Sequence, residues 1–430
     1  MDFHMKPFRI LVMSPLRPHS AHTVRAANIV LYELISAFAN LPGVSVGFLK
    51  VDQPGDAPET AQEADGRAEL EKQGVTFLPE FALSSMVRRS KLRKIFFPSL
   101  EDFYPGVNGG EKQRLLEAVK NFSPDLIFIP WSEPVTALAA DLPYPKYAYY
   151  GNPDPKSALA QASFNRRHRN LSSFEYAIKK RVASYLASIH IKIMSHYEMI
   201  GDVADNDVKY YRAHGLSQAH YIQNVWFDRY PNWRELRTSR EKEKPLKIIG
   251  SIGKLSGTAN THGLELLVND LLPELRRVMQ KGSFEIHILG AGSPHPAIAR
   301  LLSAPEFRLR GFVDDIDDEI LSSSIFLCLN NASEYKVGHT RYLHAWSLGS
   351  CVIAHRDAAL SMPEMHHDKN SLLGGTIPEM AKLIAEAVEN KELRDRIGAG
   401  GYDTFRKFFV ASHVVPKILQ SFQEYKNRSV

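Results

Sequence analysis

The chain has 430 residues, of which 44% are hydrophobic and 23% are charged, and this composition excludes a disordered, collagenous or coiled-coil protein. Its length exceeds the roughly 250–300 residues that one hydrophobic core organises, so two domains are expected. The formal net charge of +5 permits anionic ligands, such as phosphates or lipid head groups, and does not require nucleic acid.

Signals for export or membrane insertion are not expected from this sequence. The apolar run near the N-terminus suits a strand rather than a signal peptide, and no segment approaches the ~20 apolar residues of a membrane helix. Cys328 and Cys351 lie in apolar, strand-like runs without zinc-ligand spacing, which indicates buried residues in a reducing compartment. We therefore expect a cytoplasmic protein, or one peripheral to the inner face of the membrane.

The first half alternates strand-like and helical patterns. A helical spacing of apolar residues over 26–41 separates the first two strands, which indicates a βαβ unit. Residues 52–73 are polar and predict a surface loop, and 174–188 predict a helix. Strands are predicted at 8–14, 44–51, 125–130, 146–151, 189–195 and 219–224.

The second half repeats this alternation after a charged segment that contains Pro245 and predicts a linker. Its tail has a helical pattern over 378–409 and again over 412–425. A further helix is predicted at 262–279, and strands at 247–253, 284–290, 307–312, 324–330 and 351–354. The chain is thus predicted to be an α/β protein built from two successive halves.

Three loops in the second half end strands with glycine or small polar residues. Gly253, Gly290 and Gly292 lie at such positions, where glycine lets backbone N–H groups approach a phosphate. Lys254 follows the first glycine and can pair with a diphosphate. Ordinary turn chemistry and a solvated surface lysine are the alternative interpretations.

A second candidate anion site precedes the apolar run of residues 342–348. Thr340 is a plausible N-cap, so the free N–H groups of the first helical turn would lie beside Gly338 and His339. Helical spacing places His344 on the face of Thr340, near Arg341. The alternative is a capped helix with solvated basic residues.

Taken together, residues 189–408 resemble the GT-B glycosyltransferases, above all the large retaining family of bacterial nucleotide-sugar glycosyltransferases (family 4-like). The loop at Gly253 and Lys254 is similar to the Gly-Arg loop of that family, and residues 288–293 are similar to its Gly-x-Gly strand end. The strand-loop-helix frame of the family is matched by Lys336, Gly338, His344-Ala345, Leu348-Gly349 and Val352-Ile353-Ala354.

The sequence also departs from that family. Lys336 and His344 stand in place of its two glutamates, and Glu334 lies two residues before Lys336. The glycine loop of the first domain is replaced by a segment that offers His19, His22 and Arg25.

The resemblance implies two Rossmann-like domains that face each other across a cleft. The N-terminal acceptor-binding domain would span 1–232, a linker 233–246 and the nucleotide-sugar donor domain 247–410. A final helix in 411–430 would pack back on the N-terminal domain.

The implied reaction moves a sugar from a nucleotide diphosphate sugar to a saccharide or lipid-linked acceptor, in surface polysaccharide or glycoconjugate synthesis. The co-substrate would be UDP- or GDP-linked, with no other cofactor and no metal. A nucleotide-sugar epimerase and a non-catalytic nucleotide-binding relic are the alternatives.

The candidate residues fall into three groups. Candidate catalytic residues are His22, Asp154 and Lys254, with Asp154 as the base if the enzyme inverts. Candidate donor-binding residues are Gly253, Gly290, Gly292, Glu334, Lys336, Gly338, His339, Thr340, Arg341 and His344. Candidate acceptor-binding residues are His19, Arg25 and Asn152.

Basic runs at 88–94, 165–170 and 179–181 contain no acidic residue. They predict either a docking surface for anionic lipid head groups or a solvated basic face. The expected partners are therefore the donor, the acceptor and an anionic membrane surface, with no nucleic acid.

Overall fold

The computed structural model describes residues 7–20, 26–53, 55–84, 95–96, 98–104, 106–168, 170–240, 245–330, 336 and 340–428. The chain divides into two compact units. Unit 1 comprises Met1–Val203, Asp207–Val225 and Ala411–Val430, and unit 2 comprises Ala204–Asn206 and Trp226–Val410.

Unit 1 is built on a parallel sheet of eight strands in the order β3-β2-β1-β5-β6-β7-β8, with β4 paired to β2. The strands are β1 (Phe8–Ser14), β2 (Val44–Asp52), β3 (Thr76–Phe77), β4 (Phe81–Ala82), β5 (Leu126–Pro130), β6 (Lys146–Tyr150), β7 (Met199–Asp202) and β8 (Ala219–Tyr221). Strand β1 lies at the centre, and its residues Ile10 to Met13 are fully buried. Such a continuous apolar strand is typical of a sheet that is covered on both faces.

Helices of the first half connect and cover these strands. They are α1 (Ala26–Ala39), α2 (Ala61–Lys72), α3 (Leu100–Phe103), α4 (Gly109–Lys120), α5 (Glu133–Ala139), α6 (Asp154–Arg167), α7 (Ser173–Met194) and α8 (Asp205–Ala213). The apolar face of α1 is buried, and Phe38 packs edge-on against Phe128 of β5 at a centroid distance of 5.2 Å. This contact joins the helix to the middle of the sheet.

The last helix, α18 (Ala411–Arg428), belongs to unit 1 although it follows unit 2 in the chain. It packs against α1, and the Phe422 ring lies 5.8 Å from the Phe8 ring of β1. Val414, Val415 and Ile418 of this helix are fully buried. Since apolar burial is the main stabilising contribution to folding, α18 is part of the core of unit 1.

Two predictions for the first half are wrong. Residues 189–195, predicted as a strand, mostly continue α7, because buried His190, Ile193 and Met194 follow helical spacing on a helix capped at Ser172. Residues 52–73, predicted as a loop, contain α2, which the capping box of Thr60 and the first-turn glutamate three residues later begins.

Unit 2 has a parallel sheet of six strands in the order β11-β10-β9-β12-β13-β14. The strands are β9 (Leu246–Ser251), β10 (Phe284–Leu289), β11 (Phe307–Gly311), β12 (Ile325–Cys328), β13 (Cys351–His355) and β14 (Leu372–Gly374). Strand β9 pairs with β10 on one side and β12 on the other. The strand order reverses at β9, and such switch points are where open parallel sheets bind ligands.

The helices of unit 2 begin within the segment predicted as a linker, since residues 233–240 form a helix. They are α9 (Trp233–Arg240), α10 (Thr258–Leu266), α11 (Leu272–Val278), α12 (Pro296–Ala299), α13 (Ile316–Leu321), α14 (Thr340–Ser347), α15 (Ala358–Ser361), α16 (Ile377–Glu389) and α17 (Lys391–Phe408). A π-helical segment, Leu267–Leu271, joins α10 to α11. Arg237 of α9 donates to the carbonyl oxygens of Ile320 and Ser323, which fixes this helix within unit 2.

The core of unit 2 is centred on α14. Trp346 is fully buried, and its indole Nε1 donates to the carbonyl oxygen of Asn370 at 2.9 Å. Gly349 closes the helix with φ +60°, and a Cβ there would meet the Trp233 ring at 2.0 Å. The α/β prediction with two Rossmann-like parallel sheets is confirmed. None of the helices described here is both long and apolar enough to cross a bilayer.

Candidate functional site

Two glycines bring the ends of β9 and β10 into close contact. Gly253 has φ +95° and Gly290 has φ +143°, a backbone region that side chains disfavour. A Cβ on Gly290 would lie only 1.7 Å from the Gly253 carbonyl oxygen. The Gly290 N–H donates to the Gly311 carbonyl at 2.7 Å, so the strand ends form one packed edge.

Asn260 holds the loop after β9 in position. It is 2% exposed, and its Nδ2 donates to the carbonyls of Ile252 at 3.1 Å and Lys254 at 2.9 Å. The Ser251 hydroxyl donates to its Oδ1 at 3.2 Å. Asn260 is not among the residues predicted from the sequence. An amide residue in the first turn of the helix that follows a glycine loop is the pattern that would have indicated it.

Basic side chains flank this loop. Lys254 is exposed, and Nη2 of the half-buried Arg341 lies 3.7 Å from where a Cβ on Gly253 would be. Thr340 and Arg341 are the first two residues of α14. The structure thus brings Gly253, Gly290, Lys254 and Arg341 to one sheet edge. Gly292, in the turn after β10, also has a positive φ, +80°.

Two residues proposed to contact the donor are paired within the protein. His344 is 7% exposed, its Nε2 lies 2.5 Å from Asp317 Oδ1, and its ring lies 5.1 Å from the Trp226 ring. Lys336 Nζ lies 2.8 Å from an oxygen of Asp357. Asp317 and Asp357 were missed by sequence reasoning, because their partners lie distant in the chain.

Some predicted residues lie outside the described part of the chain, namely His22, Arg25, Glu334, Gly338 and His339. The roles proposed for these residues therefore stay predictions from the sequence.

His19, predicted to contact the acceptor, is 4% exposed. A Cβ on Gly66 of α2 would lie 2.6 Å from the His19 Cα, so the two backbones are closely packed. This packing fixes the segment that follows β1.

The carboxyl ends of β5 and β6 in unit 1 form a second edge. Trp131 and Asn152 follow these strands with φ +45° and φ +66°, a rare conformation for residues other than glycine. Asn152 Nδ2 donates to the Ser157 hydroxyl at 3.2 Å. Asp154 begins α6, and its backbone N–H donates to Oε1 of Glu133 at 2.9 Å, which places two carboxyl groups side by side.

The pKa values of these two carboxyl groups are perturbed. Burial, together with the negative charge of Asp154, raises the pKa of Glu133 to about 7. Desolvation raises the pKa of Asp154 as well, although part of this residue is exposed. Asp154 is predicted from the sequence and Glu133 is not. Glu133 also follows the end of a strand closely, and this position could have indicated it in the same way.

Neighbouring groups complete this edge. Lys156 Nζ lies 2.7 Å from an oxygen of the buried Asp207, so its charge is compensated. Among the residues that the structure describes, no group of three or more His, Cys, Asp or Glu side chains is placed to hold a metal ion.

The family model described as "Glycosyl transferases group 1" matches residues 246–390. This segment contains the edge formed by Gly253, Lys254, Gly290 and Arg341. No curated protein matches the sequence of this chain.

Solved structures of similar fold cover nearly the whole chain. Anabaena HepE in complex with UDP and glucose has a TM-score of 0.58 at 15% identity and covers 98% of this chain and 100% of its own. Sucrose-phosphate synthase from Thermosynechococcus elongatus has a TM-score of 0.59 at 13% identity, with 98% and 100% covered. A mutant of S. aureus TarM, in complex with Fondaparinux, alpha-GlcNAc-glycerol and UDP, has a TM-score of 0.60 at 11% identity, with 97% and 99% covered.

These structures show the same fold, and the family match lies on the unit that carries the glycine edge. The chain therefore has the GT-B fold of these glycosyltransferases, and its residues 246–390 match the model of the glycosyl transferases group 1.

Proposed function

We propose that this protein transfers a sugar from a UDP- or GDP-linked donor to a saccharide or lipid-linked acceptor in surface polysaccharide or glycoconjugate synthesis. The group 1 match in unit 2 supports a donor site there, and the complexes of HepE and TarM with UDP favour a uridine nucleotide.

The observation that carries the donor assignment is the contact between Gly253 and Gly290, with Lys254 and Arg341 beside it. Glycine at these positions removes the side chains that would keep a phosphate away from the backbone of the two loops. The lysine and the arginine supply positive charge where a diphosphate leaves the sugar. Catalysis would then depend on positioning and on stabilising the leaving diphosphate, with no metal in the proposal.

Calorimetric titration with UDP and GDP tests this assignment. Lys254→Ala and Arg341→Ala should each weaken binding of the preferred nucleotide by about tenfold or more, since each removes a charge-assisted contact to phosphate. Lys281→Ala is the matched control, because this exposed lysine lies in the turn before β10, at the opposite edge of the sheet. Unchanged affinity in both site variants, or no binding of either nucleotide, would refute the donor site.

We also propose that unit 1 docks on an anionic membrane surface through the helix pair α6 and α7, which pack against each other. Phe174, in the first turn of α7, is 75% exposed, and the basic residues around it are exposed as well. These residues are Arg166, Arg167, Lys179, Lys180 and Arg181. An exposed aromatic ring among basic residues fits the interface of an anionic bilayer. The basic run at 88–94 lies outside the described residues.

Sedimentation with lipid vesicles tests the docking proposal. The protein should sediment with vesicles that contain phosphatidylglycerol and not with pure phosphatidylcholine, and 0.5 M salt (~4 Å Debye length) should release it. Replacing Lys179, Lys180 and Arg181 together by alanine should reduce binding at least about tenfold, because each basic residue contributes about 1 kcal/mol near such a surface. A triple control removes the same charge from unit 2 at Lys281, Arg300 and Lys382. Equal loss in both triples would mean that net charge alone governs binding.

A further inference from the structure

Glu133 and Asp154 form a pair of carboxyl groups at the carboxyl ends of two adjacent strands. The backbone N–H of Asp154 donates to Glu133 Oε1 at 2.9 Å, and Ser132 caps the helix that Glu133 begins by accepting from the Val135 N–H. Each carboxyl group lies in the first turn of its helix, which orients both toward the same sheet edge. The pair is therefore held by the backbone and does not depend on flexible loops for its geometry.

Two buried tyrosines lie within electrostatic range of this pair. Tyr104 is 3% exposed, and its hydroxyl has no hydrogen-bond partner among the residues that the structure describes, whereas the hydroxyl of Tyr150, 1% exposed, lies within hydrogen-bonding reach of Glu133. The charges of Glu133 and Asp154 both act on Tyr104, and the charge of Glu133 acts on Tyr150. Burying a hydroxyl without a partner costs about 1–3 kcal/mol, so the Tyr104 hydroxyl indicates that a ligand or water completes the site.

The pair is unfavourable for the fold itself. Burial disfavours the charged form of Glu133, and the negative charge of Asp154 adds to this effect, so that the pKa of Glu133 rises to about 7. Structural ion pairs normally place a cation beside such a group, yet Lys156 is engaged by Asp207. Perturbed carboxyl groups without a compensating cation are typical of functional sites.

The chemistry of the four groups selects the ligand. Two carboxyl groups accept hydrogen bonds and two phenol hydroxyls donate them, which matches a molecule that carries several hydroxyl groups. An anionic ligand is disfavoured because it would meet two acidic groups in a region of low dielectric. A metal ion would need further ligands, and the described residues hold no group of three acidic or histidine side chains.

We propose that Glu133, Asp154, Tyr104 and Tyr150 form a binding site for a neutral, hydroxyl-rich ligand, such as an unphosphorylated saccharide or a polyol. This inference rests on the proposed function, since the ligand would be the acceptor or the acceptor's terminal sugar. It specifies that the part of the acceptor held here carries hydroxyl groups and no phosphate.

NMR of the full chain, labelled with ¹³C at the glutamate side-chain carboxyl groups, tests the proposal directly. The Glu133 resonance is assigned by its loss in Glu133→Gln. The probes are glucose, galactose, maltose and glycerol, with glucose 6-phosphate as the anionic counterpart. At least one neutral probe should shift the Glu133 resonance at millimolar concentration, and glucose 6-phosphate should bind at least about fivefold more weakly than glucose.

Variants separate the site from general effects. Glu133→Gln and Asp154→Asn should weaken the binding of the neutral probe by about tenfold, since a charge-assisted acceptor is lost. Tyr150→Phe should weaken it less, by about threefold. Glu117→Gln, on the exposed face of α4, is the matched control and should leave binding unchanged. Failure of all four neutral probes, or tighter binding of glucose 6-phosphate, would overturn the proposal.

Calorimetry with UDP on the same variants separates this proposal from the donor assignment. Unit 2 should bind the nucleotide equally well in Glu133→Gln and in the unmodified protein, and circular dichroism checks separately that unit 1 of the variant is folded. Lost saccharide binding with intact UDP binding supports the carboxyl site. Intact saccharide binding in Glu133→Gln refutes the carboxyl site, whether or not UDP binds.

Discussion

His344 Nε2 lies 2.5 Å from Asp317 Oδ1, and both side chains are buried in unit 2. His344 is expected from the sequence to contact the donor, because it stands where the retaining GT-B family that the sequence resembles has glutamate. The structure gives it a partner on α13. His344 thus supplies a hydrogen-bond partner to a carboxyl group that is only 2% exposed.

His344→Ala should destabilise unit 2 by about 3 kcal/mol, because it removes the basic partner of a buried carboxyl group. Differential scanning calorimetry would detect a fall of several degrees in Tm. His366→Ala, at an exposed position of the same unit, should leave Tm unchanged. An unchanged Tm combined with a large loss of UDP affinity in His344→Ala would restore its assignment to the donor.

Glu133→Gln should change stability in a pH-dependent way. The folded-state pKa of Glu133, about 7, lies above its ordinary value, so the folded protein binds this proton more tightly than the unfolded chain. The stabilising effect of this proton is fully present below about pH 4.5 and is lost as pH rises through about 7. Glutamine does not titrate, so Glu133→Gln does not lose stability over this pH range. Its free energy of unfolding at pH 8 should exceed that of the unmodified protein by about 2–3 kcal/mol.

Denaturant titrations at pH 4.5 and pH 8 measure this difference, and Glu117→Gln provides the baseline. Asp154→Asn should lower the pKa of Glu133, because it removes the neighbouring negative charge. A constant difference between Glu133→Gln and the unmodified protein across this pH range would contradict the raised pKa.

Gly290→Ala should disrupt the glycine edge of unit 2. Its new Cβ would meet the Gly253 carbonyl oxygen at 1.7 Å, and its φ of +143° disfavours a side chain. We expect a destabilisation of about 3 kcal/mol or more, with loss of UDP binding. Gly282→Ala is the control, since Gly282 has φ +81° but no atom within 4 Å of its Cβ position. It should cost only about 1 kcal/mol and leave UDP binding intact.

Cys328 and Cys351 should be unreactive in the folded protein. Both are buried and free, and burial raises the pKa of Cys351 to about 12 and that of Cys328 above its ordinary value. Ellman's reagent should titrate both thiols in denaturant and react with the native protein at least about a hundredfold more slowly. Fast reaction of either thiol in the native state would show that its strand opens locally.

The sequence predicted much of the fold because its main signals are local. Continuous apolar strands and glycines at strand ends are visible in short windows, and Gly253 and Gly290 were selected for this reason. Residues 189–195 were assigned wrongly because their alternating pattern resembles a strand, whereas the cap at Ser172, seventeen residues earlier, starts the helix that includes them. A local window misses a signal at that distance.

The candidate sites were only partly predictable because they depend on contacts distant in sequence. Asp154 was selected and Glu133 was not, since the pairing appears only when β5 and β6 lie side by side. The partner of His344 lies on a different helix, 27 residues earlier in the chain. Polar and charged residues at strand ends indicate where a ligand can bind. The tertiary structure decides which of these side chains are already paired with other residues of the protein.

Helix α18 also determines when unit 1 can finish folding during synthesis. The ribosome releases the sheet of unit 1 first, but Phe422, which packs against Phe8, emerges only after all of unit 2. Until then the surface of β1 and α1 that α18 covers is exposed to water and to other chains. Chaperone dependence of newly made protein should therefore end at the last helix rather than at the boundary between the units.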